Sequence, residues 1–138
     1  MVRDHPSFDN TAMLIDNVIL EMIGPDPRIH QIPELFHAEI YGRLHQGQED
    51  SGDAYYYAAI QIAIRPPDAE EVLDGVLSWL VSHAALLQEF RCDKTLEIQS
   101  HMLAIDGSRS LCLDPQFIDA LSKAGLALRH QVSRERGD

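Results

Sequence analysis

The chain has 138 residues, enough for one domain with a single core and too few for two ordinary ones. Its 22 acidic side chains outnumber 11 basic ones for a formal charge of −11, which argues against gripping a nucleic-acid backbone and favours solubility or a basic partner. No apolar run approaches the roughly 20 residues that span a bilayer, and no signal peptide is recognisable, so a soluble, cytoplasmic protein with no membrane partner is expected.

Residues 1–9 read as a polar leader, flexible like the tail at 134–138. From Thr11 to Ile23 the spacing of Ile15, Val18, Ile19 and Met22 predicts an N-terminal helix, stopped by Gly24 with Pro25 and Pro27 beyond. The β-branched residues and the Asp16-Asn17 pair also allow a hairpin there. Pro25 to Pro33 is a connector, because proline suits neither regular element. Leu35 to His45 then alternates, with Phe36, Ala38, Ile40 and Leu44 on one side and His37, Glu39, Tyr41, Arg43 and His45 on the other. That is the pattern of a strand buried on one face. Gln46 to Asp53 is polar with two glycines and predicts a hairpin loop. Ala54 to Arg65 is the second strand, burying Tyr56, Ala58, Ile60, Ile62 and Ile64 and turning Tyr55, Tyr57, Gln61 and Arg65 the other way.

The stretch from Asp68 to Arg91 carries the longest helical signal, with Val72, Leu73, Val76, Leu77, Leu80, Ala84 and Leu87 on one stripe. Pro66 and Pro67 bar an earlier start, and Asp68 with Glu71 makes an acidic capping box. Gly75 costs about 1 kcal/mol in a helix interior, which hints at a close backbone approach. Trp79 lies off the stripe, at the edge of the core or as a half-exposed anchor. Thr95 to Ile105 predicts a third strand, and Asp106-Gly107-Ser108 a turn. Asp114-Pro115 opens a second helix that ends at Gly125, and Leu126 to Ser133 is a last strand. The expected fold is therefore a single α+β domain over residues 1–138. Its mostly antiparallel four-stranded sheet carries helices on one face, with the N-terminal helix added.

The chain lacks a Gly-rich phosphate loop, a Gly-x-Ser-x-Gly elbow, a His-Glu-x-x-His site and a Cys-x-x-Cys pair. Its seven histidines have no ligand-like spacing, so neither a metal nor another cofactor is expected. His101 with Glu97 or Glu39 could exchange a proton across strands, and Cys92 or Cys112 beside a histidine could serve as a nucleophile. The more informative feature is the face the helices leave uncovered. There Glu39, Tyr41, Tyr55, Tyr57, Glu97 and His101 form the candidate partner-binding set, because tyrosine buries much area at low entropic cost.

The segment Leu-Asp-Pro-Gln-Phe-Ile-Asp-Ala-Leu-Ser-Lys-Ala-Gly-Leu-Ala-Leu, from Leu113 to Leu128, follows a long helix and a strand. This C-terminal half resembles an uncharacterised family of small bacterial α+β proteins whose ends run strand, Leu-x-Pro-type cap, short helix, Gly-Leu, strand. Some of its members accompany polymorphic toxins, so the resemblance implies an immunity-like inhibitor and carries over no catalytic residue. The expected function is a non-enzymatic, acidic protein-binding domain for a basic partner such as a toxin. The alternatives are a small enzyme or ligand-binding domain with a pocket between helices and sheet, and a structural homodimer.

Overall fold

Ile15, Val18, Leu20 and Met22 join the core through a strand and not through the helix expected of them. In the computed structural model, which describes residues 13–42, 44–48, 52–62, 69–102 and 111–134, Met13–Gly24 forms strand β1 at the middle of the sheet. A bulge at Asp16 explains the misleading spacing. The pairing with the next strand shifts between Ile15 and Asn17, so Ile15 and Val18, three residues apart, both reach the core. The strand is also buried on its other face at Ile19, which fills the gaps a half-buried strand would show. Spacings of three and four with apolar residues on both faces imitate a helix.

The connector is a 3-10 turn, Pro27–Gln31, followed by a single helical turn, α1, Ile32–Leu35. Asp26 caps the first of these through Arg28. This corrects the long strand expected from Leu35 to His45. Phe36 lies in the turn after α1, His37 takes a positive φ of 52°, and only Glu39–Ile40 pairs as β2. Gly42, at φ 76°, breaks the line before β3, His45–Gln48. Both short strands pair with the same side of β4, Ala54–Gln61, antiparallel as expected.

The long helix is α2, Ala69–Gln88, followed by β5, Asp93–Met102, α3, Pro115–Ala124, and β6, Ala127–Arg134. Pro66, Pro67 and Asp68, the expected start of α2, lie outside the described residues, as do the turn at 106–108, the leader and residues 135–138. Gly125 closes α3 at φ 72°, and the Leu126 amide donates back to the Leu121 carbonyl. Gly75 faces open space, so no backbone approaches it.

Among the described residues the sheet has six strands and is mixed, in the order β2-β4-β1-β5-β6 with β3 beside β2 on β4. β5 and β6 run parallel, as a helical connection permits, and the other pairings are antiparallel. Among the described residues the fold is thus α+β, with two strands more than expected and strand β1 where the N-terminal helix was expected. The core lies between one face of the sheet and the helices. It joins Val18, Leu20, Ala58, Ile60, Leu96 and Ile98 to Val76, Leu80 and Phe117. Trp79 packs at its edge, stacked on His83 with ring centres 4.4 Å apart and 5.3 Å from Phe36.

Candidate functional site

Strand periodicity sends every second side chain to the sheet face opposite the helices. On β4 these are Tyr55, Tyr57, Ala59 and Gln61; on β1, Asn17, Ile19, Glu21 and Ile23; on β5, Thr95, Glu97, Gln99 and His101. β6 adds Arg129, and β2 adds Glu39. Tyr41 follows β2, its amide bonded to the Ala59 carbonyl. All six candidate residues therefore share this face, but they divide into two groups.

Tyr57 and Glu97 belong to a closed network in the middle. The Tyr57 hydroxyl donates to Glu21 Oε2 at 2.7 Å. Arg129, reaching inward from the edge strand, donates to Glu21 Oε1 and Glu97 Oε1, both at 2.9 Å. Gln99 donates to Glu97 Oε2 at 2.6 Å. Each carboxylate oxygen of Glu21 and Glu97 thus has a partner, which lets Glu97 stand only 7% exposed with its charge matched. Burial first, and then the hydrogen bond to Glu21, pushes the Tyr57 phenol up to about 12. The guanidinium of Arg129 is held above its ordinary value, first by Glu97 and then by Glu21. The network ties β4, β1, β5 and β6 together through their side chains.

The other candidates stand at its margins. Tyr41 is 39% exposed and Glu39 is exposed; among the described residues neither makes a hydrogen bond or ion pair through its side chain. Tyr55 packs against Gly47, where a Cβ would come within 2.6 Å of its ring, and meets His45 edge-on. His101 pairs with Asp16 at 2.8 Å, through the same bulge that shifts β1. That replaces the proton-transfer pair expected with Glu97 or Glu39, since Glu97 is bonded elsewhere and Glu39 lies three strands away. The face is acidic: Asp16, Glu21, Glu39, Asp93 and Glu97 stand against Arg129 among its described residues.

A pair missed in the sequence lies on the helix side. Ser100 Oγ is 2.6 Å from His130 Nε2, across β5 and β6. Burial lowers the His130 pKa, which favours the neutral ring, and the two groups share one hydrogen bond. Ser100 is only 2% exposed, and among the described residues no carboxylate orients the imidazole. The two therefore satisfy one another as a structural pair. Burial also pushes the Cys92 thiol up to about 11, which makes it a poor nucleophile.

Among the described residues, no group of three or more histidine, cysteine or acidic side chains is placed to hold a metal. No helix among them is long and apolar enough to cross a membrane. Clefts open between α2 and α3, and beside Asp16, Gln99, Ser100 and Gln131 at one end of β5 and β6. The sequence signal for the open face was its alternation of tyrosine and charge; Arg129 and Glu21, which organise it, carry no local signal. No family model, no curated protein and no solved structure matches this chain.

Proposed function

We propose that this chain is a cytoplasmic, non-enzymatic binding protein that receives a basic protein partner on the open face of its sheet. The observation that carries the reading is the exposed corner at Glu39 and Tyr41, backed by the closed network around Glu21 and Glu97. Each carboxylate oxygen of the network already has a hydrogen-bond partner, so the network serves as scaffold, and the corner makes the contacts. Tyr41 supplies apolar area with a polar tip, and Glu39 supplies the charge that a lysine or arginine of the partner would meet. The net charge of −11 adds long-range attraction for such a partner. Its most concrete form is an immunity-like inhibitor that occupies a basic toxin.

Affinity capture from the native host at low salt tests the proposal, with wild type and a Glu39→Lys, Tyr41→Ser double variant compared side by side. The expected result is a basic protein retained by wild type, released by high salt and lost from the variant. Retention of only neutral or acidic proteins, or equal retention by the variant, would count against it.

A further inference from the structure

We infer that the furrow between α2 and α3 is a second docking site, shaped for a basic amphipathic helix of a protein partner. The stripe of α2 that faces α3 runs Glu70, Asp74, Leu77, Val81, Ala84 and Gln88, at the three- and four-residue spacing that keeps side chains on one side of a helix. Its middle part borders a cleft of about 320 Å³ whose apolar lining comes from Leu77, Leu80, Val81 and Ala84 of α2 and Ala120 of α3. Leu77 also lines a smaller hollow of about 100 Å³ nearer the helix starts, which carries Glu70, Asp74 and Asp114. At the other end the side chain of Gln88 reaches the Lys123 carbonyl and closes the furrow. The furrow is therefore apolar along its middle, acidic at one end and shut at the other.

Two observations choose the occupant. Val81 is 68% exposed on the lip of the apolar section, on a helix whose other large aliphatic side chains are turned inward. Scattered exposed valines need no explanation, but this one continues an open apolar floor. Four carboxylates, Glu70, Asp74, Asp114 and Asp119, line the furrow against one ammonium, Lys123. α2 carries Glu70, Glu71 and Asp74 and no lysine or arginine, and Lys123 of α3 pairs with Asp119 at 3.0 Å. A helix laid along the furrow would set apolar residues at i, i+3 or i+4, and i+7 against the floor, and basic residues one turn further against Asp74 and Asp114. A second copy of the chain would bring the same carboxylates to the contact, and a nucleic acid would bring phosphates, so both are disfavoured by charge. This site lies across the molecule from the open sheet face and is independent of the function proposed there.

The test uses the full chain and a fluorescein-labelled peptide of roughly 18 residues, built from leucine and lysine with leucines at helical spacing. A scrambled peptide of the same composition is the control, and anisotropy is the readout. The ordered peptide is expected to bind at least about tenfold more tightly than the scrambled one. Val81→Asp and Asp74→Lys should each weaken it by about tenfold, while Glu34→Lys, at an exposed position on α1 outside both proposed surfaces, leaves it unchanged. Both groove positions are solvent-exposed, and circular dichroism verifies that the variants fold. Equal binding of the two peptides, or an unaltered affinity in Val81→Asp, overturns the inference. So does a loss with Glu34→Lys equal to that with Asp74→Lys, which would mark unspecific attraction. A self-association that Val81→Asp abolishes would give the furrow to a second copy and also overturn it.

Discussion

Replacing Lys94 by methionine is expected to destabilise the protein by about 2–3 kcal/mol. Lys94 is buried near the start of β5, and its Nζ donates to the Leu87 carbonyl at 2.8 Å and the Phe90 carbonyl at 3.0 Å. These acceptors lie at and just beyond the end of α2, which has no basic residue in its own last turn. The ammonium therefore meets the negative end of the helix dipole, satisfies the Phe90 carbonyl and adds a second donor to the Leu87 carbonyl. Among the described residues no carboxylate pairs with it. Methionine keeps an apolar stem of similar length, so the substitution removes the head group and little packing. Two charge-assisted hydrogen bonds, about 1.5–3 kcal/mol each, are lost; the Phe90 carbonyl is stranded, while the Leu87 carbonyl keeps the Phe90 amide. Relief from burying an ammonium offsets part of that, by several kcal/mol at most. A domain of this size loses about 3 °C of melting temperature per kcal/mol, so thermal unfolding should fall by roughly 6–9 °C. Thermal and urea unfolding, followed by circular dichroism, measure it. A melting temperature within about 2 °C of wild type would refute the view that Lys94 stabilises the end of α2.

Gly24→Ala places a Cβ 2.5 Å from the Cys92 Cβ, and urea unfolding should show a loss of about 1–3 kcal/mol from the forced shift. In an alkaline absorbance titration Tyr57 should ionise near 12, well above the ordinary 10.0, and Tyr57→Phe should delete that last step. Its folded pKa is raised, so the stability it contributes is whole below pH 10 and is lost as pH climbs from 10 toward 12. His130 has the opposite sign. Its pKa is lowered from 6.5 by burial, so its contribution is present above pH 6.5 and is lost as pH falls through the folded value. Nuclear magnetic resonance titration of the histidine ring should place that midpoint below 6.5, and a midpoint above it would contradict the buried Ser100 pairing.

Several elements were legible because one periodicity governed them. α2 and α3 show clean helical stripes, and α3 also carries its own start and stop at Pro115 and Gly125. β4 and β5 alternate because helices cover one of their faces and leave the other open. The tyrosine-bearing face was legible for the same reason. β1 was not, since Ile19 and Ile23 put apolar residues on its open face too and blur the alternation, and the bulge at Asp16 resets its phase. The strand from Leu35 to His45 failed differently. Its alternation is real, but the bend after α1 and the left-handed Gly42 cut the pairing to two short pieces.

By itself the sequence determined the acidic balance, the two long helical signals and the set of side chains that share the open face. These follow from composition and from local periodicity, which act over a few residues. Only the tertiary structure decided that Arg129 crosses the sheet to pair with Glu21 and Glu97, that β5 and β6 run parallel, and that α2 and α3 leave an acidic furrow. Glu21 and Arg129 lie 108 positions apart in the chain. Contacts at such separation depend on which strands become neighbours, and strand order is settled by burying the whole core at once, beyond the reach of any short stretch of residues.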